Sequence, residues 1–235
     1  MENSTTTKQE IWLIRHGASL WNKEQIHQGQ SYLEPGLAPE GISQAAAIGR
    51  KLKSEKIAAI YASPLPRTVQ TARVINLQLD YLAKIFTELG LKEITHGVVD
   101  GTSYQTIFTK YSEGWKKWLD REIRMPLFPG GESQLEAQAR MIRAMYVLAR
   151  ASNYNYRYDQ KIIVVAHGGV NKLFLAHISG LPIKNHFDIA QENGCINILL
   201  WDGEEFFVKE DKNGKPMINL TEHLGEHRFS PGIKT

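Results

Sequence analysis

The chain has 235 residues, of which 42% are hydrophobic and 23% charged, and its formal net charge is +3. This composition is ordinary for a globular protein with a sizeable apolar core. Lysine and arginine are scattered, so the mild positive charge fits a small anionic ligand at least as well as nucleic acid, and we expect no nucleic-acid partner. The single cysteine, Cys195, excludes an intramolecular disulfide. A polar N-terminus and apolar runs too short to span a bilayer predict a cytoplasmic protein without a membrane partner.

Short apolar runs predict strands, and apolar residues at helical spacing predict helices. The predicted strands cover residues 10–15, 56–63 and 161–169, and the predicted helices cover residues 39–53, 64–80, 102–120, 135–151 and 170–180. Three further segments are predicted as a strand or extended loop at 84–101, a loop at 125–133, and a hairpin at 195–209 that turns at Asp202-Gly203.

The alternation of strands and helices predicts an α/β fold with a mainly parallel central sheet and helices on both faces. No repeat, low-complexity tract or convincing linker divides the chain. We therefore expect one domain over residues 1–235, with polar tails at about 1–9 and 210–235.

Two predicted strands run directly into a histidine followed by glycine, at His16-Gly17 and His167-Gly168. Ligands of open α/β sheets bind at the carboxyl ends of the strands, and glycine lets a ligand approach the backbone closely. One such histidine alone would favour a structural, hydrogen-bonded role, but the repeated pattern favours a functional one. The remaining histidines lack this context and are interpreted as surface or packing residues: His27, His96, His177, His186, His223 and His227.

Two arginines accompany these histidines in the predicted order of elements. Arg15 precedes His16, and Arg67 opens the helix that follows the second strand. The guanidinium group is permanently charged and matches phosphate oxygens with its planar fork, and a helix N-terminus also favours anions. Either arginine alone would be interpreted as a solvated surface residue, but together with the histidines they predict a phosphate pocket.

Five motifs occur in an order and spacing that resemble the histidine phosphatase superfamily, the phosphoglycerate mutase-like proteins. They are "LIRHG", "ASPLPRTVQTA", "LKEI", "PGGES" and "VVAHGG", and the similarity covers residues 11–197. The resemblance implies a three-layer α/β/α sandwich of the phosphoglycerate mutase type. Because any one motif is weak, the identification depends on all five being in register.

The resemblance implies a role for each matching residue. His16 would be the nucleophile that forms a phosphohistidine, and neighbouring guanidinium charges would keep its imidazole neutral, as attack requires. Arg15, Arg67 and His167 would hold the phosphate and neutralise its equatorial oxygens. Fixed cations would replace a metal ion, so we expect neither a metal nor another cofactor.

The matching position for the general acid is Glu93, whose carboxyl would keep its proton beside a phosphate dianion. Glu88 is the local competitor and fits the motif less well. Asn22 and the segment "HQGQ" over residues 27–30 match the stretch that lines the family's substrate pocket. Asn22, Gln28 and Gly29 are therefore predicted to line it, as is Gly168.

Glu132 and Ser133 of "GGES" are predicted to organise the following helix by capping. The pocket walls are expected from the 102–130 region, although most of its aromatic residues fit helix packing better: Tyr104, Phe108, Trp115, Trp118 and Phe128.

Two positions depart from patterns common in the family. Ala18 stands where many members have glutamate or glutamine, which removes one polar contact expected near the pocket. Val99-Asp100-Gly101 stands where many phosphatase-like members have Trp-Glu-Gly. Both departures leave the chemistry in place and put the substrate preference in doubt.

The predicted function is hydrolysis of a small phosphorylated metabolite by a metal-independent phosphomonoesterase. The mutases of the family carry a longer insertion than the segment between Gly101 and Gly130, which favours hydrolysis. A cofactor-dependent phosphoglycerate mutase, and a non-catalytic relative that binds phospho-ligands or a protein, are the alternatives. The sequence leaves the physiological substrate and the oligomeric state open.

Overall fold

The computed structural model describes residues 8–155 and 159–221. Within these ranges the strands are β1 (Gln9–Arg15), β2 (Ile26–His27), β3 (Ile57–Ala62), β4 (Lys84–Thr87), β5 (Thr102–Ser103), β6 (Lys161–Ala166), β7 (Ile196–Trp201) and β8 (Phe206–Val208). The α-helices are α1 (Leu20–Lys23), α2 (Pro39–Lys51), α3 (Pro66–Asn76), α4 (Tyr104–Lys110), α5 (Ser112–Leu119), α6 (Gln134–Asn155) and α7 (Gly168–Ile178).

Six strands form the central sheet in the order β4-β3-β6-β1-β7-β8. The pairs β4–β3, β3–β6 and β6–β1 are parallel, whereas β7 and β8 are each antiparallel to the preceding strand in that order. A separate two-stranded antiparallel sheet joins β2 to β5. The predicted mainly parallel α/β sheet is therefore confirmed, as is the terminal hairpin.

The central strand β1 shows how the sheet acquires a helical layer on each face. Ile11 and Leu13 point into a core shared with α6 and α7, whereas Trp12 and Ile14 point into a core shared with α2 and α3. Successive side chains of a strand face opposite sides, so a continuous apolar run is what a strand buried on both faces requires. The four parallel strands thus end at one edge of a rigid sheet.

Helix α6 begins with the capping arrangement predicted for the "GGES" loop. The Ser133 side chain accepts a hydrogen bond from the Glu136 N–H at 3.2 Å, and the Glu136 carboxylate accepts one from the Ser133 N–H at 2.7 Å. Glu132 takes no part in this cap. Glu132 forms an ion pair with Arg140 instead, at 2.6 Å, one helical turn after Glu136.

The single amphipathic helix predicted over 102–120 is wrong. The chain pairs β5 with β2 first, and two short helices, α4 and α5, then meet at Tyr111, whose backbone is non-helical at φ −126° and ψ 40°. The break lets both helices pack on one satellite core of the buried residues Val99, Ile107, Leu127 and Phe128. Tertiary packing has overridden a helical pattern that was continuous in sequence.

Residues 210–221 were predicted as part of a polar C-terminal tail, but this segment pairs with β7 at Leu220 and Met217 and is not a free tail. Strand β8 pairs only with the distal half of β7, which leaves the backbone of Ile196 and Ile198 to be paired by another segment. Leu220 exchanges both hydrogen bonds with Ile196, and the Met217 carbonyl accepts from the Ile198 N–H at 2.9 Å. Buried backbone groups must be paired, which explains why a polar segment is held here.

Helix α3 ends at Asn76, earlier than the predicted end near residue 80, because the Asn76 amide caps the following turn through Ala83. None of the helices in the described ranges combines the length and apolar character needed to cross a bilayer. The predicted N-terminal tail (except Lys8 and Gln9), residues 222–235, His223 and His227 lie outside the described residues.

Candidate active site

The carboxyl ends of β1 and β6 bring the two motif histidines together. These strands are neighbours, and the His16 N–H donates to the Ala166 carbonyl at 3.1 Å. The His16 and His167 ring centroids are 5.3 Å apart. The parallel register therefore places both rings at one point of the sheet edge, where α/β proteins bind ligands.

His16 is 98% buried yet lines a cavity at this edge. Its Nδ1 lies 2.8 Å from the Gly17 carbonyl oxygen, which only accepts, so Nδ1 carries the proton and Nε2 keeps a free lone pair. Burial and the positive charges of Arg67 and Arg15 hold the pKa of His16 well below its usual value. The imidazole is therefore neutral, with one nucleophilic nitrogen.

Arg67 is held by a buried carboxylate that the sequence interpretation missed. Both Glu34 oxygens bind this residue. One accepts from the backbone N–H of Arg67 at 2.8 Å, and the other accepts from the guanidinium Nη1 at 2.6 Å. Nη2 donates to the Gly29 carbonyl and Nε to His167 Nδ1. Three of the five guanidinium N–H groups are thus committed, which fixes the plane of the fork and leaves two N–H donors for a ligand.

Arg15 is fixed at one end and unsatisfied at the other. Its Nη1 donates to the Gln191 carbonyl, whereas Nε is buried without a hydrogen-bond partner. A Cβ on Gly168 would lie 3.2 Å from that Nε, so glycine leaves room beside this buried donor. A buried donor that lacks a partner costs about 1–3 kcal/mol, which an anion in the cavity would recover.

His167 lies one layer behind the cavity. The ring is fully buried, accepts from Arg67 Nε at 3.1 Å through Nδ1, and donates to the Ser63 hydroxyl at 2.8 Å through Nε2. Burial and the charge of Arg67 hold its pKa well below the usual value. The ring therefore positions Arg67 in this state, and direct contact of His167 with phosphate stays a prediction.

Glu93 lines the same cavity as His16 and is held at the N-terminus of α7. Its carboxylate accepts hydrogen bonds from the backbone N–H groups of Ile94 at 2.9 Å, Gly169 at 3.1 Å and Val170 at 3.2 Å. Glu88, the competing candidate, accepts from the N–H of Gly90 in its own turn. Of the two carboxyl groups only Glu93 lines the cavity, and its role as proton donor stays a prediction.

The three residues predicted from the segment after the nucleophile all line the cavity. Asn22 and Gln28 converge on Ser19, whose hydroxyl donates to Gln28 at 3.0 Å. Gly29 adopts φ +47°, and a Cβ there would lie 1.8 Å from an Asp100 oxygen, so no other residue fits. Gly168, at the start of α7, also lines the cavity.

The cavity has a volume of about 230 Å³. We call the group formed by Arg15, His16, Arg67 and His167 its phosphate end. We call the remaining aromatic and imidazole lining its far wall, formed by His27, His96, Tyr104, Trp118, His186 and Phe187. Tyr104 and Trp118 thus line the cavity, whereas Phe108 is exposed, Trp115 packs on the satellite core and Phe128 is buried in it.

The interpretation of His96 and His186 as surface or packing residues is wrong, because both line the cavity, as does His27 of the "HQGQ" segment. His27 Nε2 and His96 Nδ1 share a hydrogen bond of 2.8 Å. Burial lowers the pKa of His27 to about 3 and that of His96 to about 4. Both rings are therefore neutral. Together with Asp100 they offer three ligand atoms within 4.8 Å of one another, the geometry of a possible metal site.

Ala18 was expected near the pocket, but it does not line the cavity. It is buried, and its backbone is so close to Gly41 of α2 that a Cβ on Gly41 would lie 2.0 Å from the Ala18 carbonyl oxygen. The Ala18 N–H donates to Gln44 in the same helix at 2.8 Å. The residue after "RHG" therefore packs between β1 and α2. The sequence interpretation missed the cavity residues His96, Gln134, Lys172, His186 and Phe187. It also missed Glu34, which binds Arg67 without lining the cavity.

Comparisons with known proteins agree with this geometry. A sequence profile of the histidine phosphatase superfamily (branch 1) matches residues 11–213. "Phosphoserine phosphatase 1" of Hydrogenobacter thermophilus is 28% identical over 92% of this chain and 95% of its own length. A Salmonella choleraesuis protein, "Probable phosphoglycerate mutase GpmB", is 31% identical over 74% of this chain and 76% of its own. The solved mycobacterial glucosyl-3-phosphoglycerate phosphatase is 25% identical, with a TM-score of 0.69 over 82% of this chain and 90% of that one.

Proposed function

The chain belongs to the histidine phosphatase superfamily, and on that premise we propose that it hydrolyses a small phosphomonoester through a phosphohistidine on His16. One observation carries the proposal. A neutral imidazole, with its Nε2 lone pair free, lines a cavity beside two arginines that keep unused N–H donors. This arrangement supplies a nucleophile and a cationic seat for phosphate in one place.

The first step transfers the phosphoryl group to the protein. His16 Nε2 attacks phosphorus while the bond from phosphorus to the leaving oxygen breaks, and Arg15 and Arg67 neutralise the charge on the equatorial oxygens. Glu93 gives its proton to the leaving oxygen, so the product departs as an alcohol. The backbone N–H groups of α7 hold the Glu93 carboxyl group at the cavity, within the same lining as His16.

The second step regenerates the free imidazole. Water attacks the phosphohistidine, the P–N bond breaks, and Glu93 takes the proton that the water loses. Inorganic phosphate then leaves the cavity. His167 supports both steps by holding Arg67 Nε from behind.

Hydrolysis is favoured over mutase activity by the short segment before the "GGES" loop. It forms only β5, α4, α5 and a loop, which leaves the cavity open enough for water to reach the phosphohistidine. The mutase alternative is kept because the Salmonella relative, which is similar over 74% of this chain, is named a probable phosphoglycerate mutase. We further propose that the enzyme is cytoplasmic and needs no metal, since fixed guanidinium groups supply the positive charge.

Purified protein given phosphoserine, 3-phosphoglycerate and p-nitrophenyl phosphate tests the proposal. We expect inorganic phosphate to be released at an equal rate with and without a chelator. Isomerised phosphoglycerate without phosphate release would establish the mutase alternative instead. Loss of activity in the chelator, restored by Zn²⁺, would overturn metal independence and point to the cluster of His27, His96 and Asp100.

A further inference from the structure

One lysine on the cavity wall has no partner. Lys172 lies on α7, one turn after Gly168 and Gly169, so it is on the same helix face as the backbone that holds Glu93. Among residues 8–155 and 159–221, its Nζ makes no hydrogen bond and no ion pair. Burial and the positive charge of nearby Arg15 lower the pKa of Lys172, and the negative charges of Glu93 and Glu192 oppose this shift only in part.

A second polar group on the same cavity is also unsatisfied. Gln134 is the first residue of α6 and only 2% of its surface is exposed. Its side-chain Oε1 is buried and accepts no hydrogen bond, although the residue lines the cavity. Buried polar groups in native proteins nearly always have hydrogen-bond partners, and a buried group without one costs about 1–3 kcal/mol of stability. An acceptor without a donor implies that the ligand brings an N–H or O–H group.

Building on the proposed phosphatase function, we propose that the substrate carries a carboxylate bound by Lys172 and, close to it, an amino or hydroxyl donor bound by Gln134. The phosphate end binds the phosphoryl group, and these two side chains bind the rest of the substrate. The substrate class is therefore a small phosphorylated hydroxy or amino acid.

Charge and size both favour a carboxylate over a second phosphate. Lys172 contributes one positive charge, which one carboxylate balances, whereas a second phosphate dianion would leave excess negative charge in a partly desolvated site. The cavity volume of about 230 Å³ is below the roughly 300–1,000 Å³ of ordinary small-molecule pockets. A compact substrate fits this volume better than a sugar bisphosphate.

The inference also predicts how the site rejects other phosphomonoesters. A compound without the carboxylate leaves the Lys172 ammonium group desolvated and unpaired, so binding loses the charge-assisted hydrogen bond and gains a penalty. Discrimination should therefore appear in kcat/KM between substrates that differ by this one group.

The test compares phosphoserine with phosphoethanolamine, which differs only by lacking the carboxylate. In the wild-type protein we expect kcat/KM to be about 100-fold higher for phosphoserine, and in Lys172→Met the ratio should fall to within about 5-fold. Lys184→Met removes the same charge from an exposed position two residues before His186 and should keep the wild-type ratio. Thermal unfolding of all three proteins verifies that each is folded.

A second arm tests Gln134 and the alternative anion. Gln134→Leu should selectively lower kcat/KM for phosphoserine relative to 3-phosphonooxypropanoate, the analogue without the amino group, by about 10-fold. Fructose 1,6-bisphosphate, compared with fructose 6-phosphate, tests a second phosphate. A preference for the bisphosphate that Lys172→Met removes would overturn the carboxylate assignment.

Failure of this inference is distinguishable from failure of the proposed function. Wild-type protein that releases phosphate from p-nitrophenyl phosphate but treats phosphoserine and phosphoethanolamine alike would overturn only the substrate class. An unchanged phosphoserine preference in Lys172→Met would likewise overturn the role of Lys172. Protein that releases phosphate from no phosphomonoester would instead remove the proposed function.

Discussion

The phosphate end and the far wall of the cavity are built in different ways. At the phosphate end, His16 and His167 follow two neighbouring parallel strands, and Arg67 is locked by the buried carboxylate of Glu34. The far wall comes from a long 3-10 and loop region, two short helices and the segment after α7, and its rings pack on one another. Chemistry is thus fixed by the sheet, while the surface that meets the rest of the substrate is carried by connections.

This difference teaches where rigidity is obtained and what it costs. Burying the ion pair of Arg67 and Glu34 removes two charges from water, which only a well-satisfied geometry can offset. The far wall avoids charge by keeping its histidines neutral, and aromatic stacking such as that of His96 on Trp118, with centroids 5.5 Å apart, orders it. Changes at the phosphate end should therefore act on both stability and rate, and changes of pH should act on both regions.

The largest effect is expected from Glu34→Gln. Removing the charge leaves the Arg67 guanidinium group buried and uncompensated, which should lower the free energy of unfolding by about 3 kcal/mol. Because the same change loosens Arg67, kcat/KM should fall by about 100-fold. Urea denaturation and steady-state kinetics measure the two effects.

Glu40→Gln is the matched control for this substitution. Glu40 pairs with Lys23 on the surface at 3.8 Å, with half of each side chain exposed. Its loss should change stability by less than about 0.5 kcal/mol. Equal losses in the two variants would contradict the account of Arg67 as a residue held by a buried carboxylate.

The effect of acid is smaller for each single histidine, and it reaches both regions. His16 and His167 at one end, and His27, His96 and His186 at the other, are buried with lowered pKa values. The unfolded state binds protons first, so their contribution is complete above about pH 6.5 and is lost as the pH falls towards the folded-state values. With folded pKa values of about 4, His96 and His186 each cost about 2 kcal/mol of stability by pH 5.

His96→Gln isolates the far-wall part of this pH dependence. The variant should lose about 2 kcal/mol less than the wild-type protein when the urea midpoint is followed from about pH 7.5 to pH 5. His177→Gln, which changes an exposed histidine on α7, should keep the wild-type pH dependence. An identical acid loss in His96→Gln and the wild-type protein would show that His96 is not buried in its neutral form.

The sequence predicted the phosphate end more fully than the far wall for a physical reason. Strand ends can be predicted from local patterns, so "IWLIRHG" and "VVAHGG" place His16 and His167 at strand ends without tertiary information. Glu34 lies in an irregular loop, and only the folded chain shows that it reaches the start of α3. The place of His27 in the far wall likewise depends on β2 pairing with β5, a contact that no short pattern encodes.

Ala18 and Lys172 show the same limit from opposite sides. Ala18 is next to the motif in sequence, yet it packs against α2 and leaves the cavity untouched. Lys172 follows the second histidine by five residues and was indistinguishable from a surface lysine until helix geometry placed it on the cavity. Sequence distance from a motif is therefore a poor measure of distance from its site.

The central claim is that His16 carries the phosphoryl group, and trapping that intermediate tests it most directly. Protein denatured during turnover of phosphoserine or p-nitrophenyl phosphate should carry one acid-labile phosphoryl group, located on His16 by mass spectrometry. His16→Ala should carry none and release no phosphate, whereas His177→Ala should behave as the wild-type protein does. A phosphoryl group on another residue, or undiminished phosphate release by folded His16→Ala, would contradict the account.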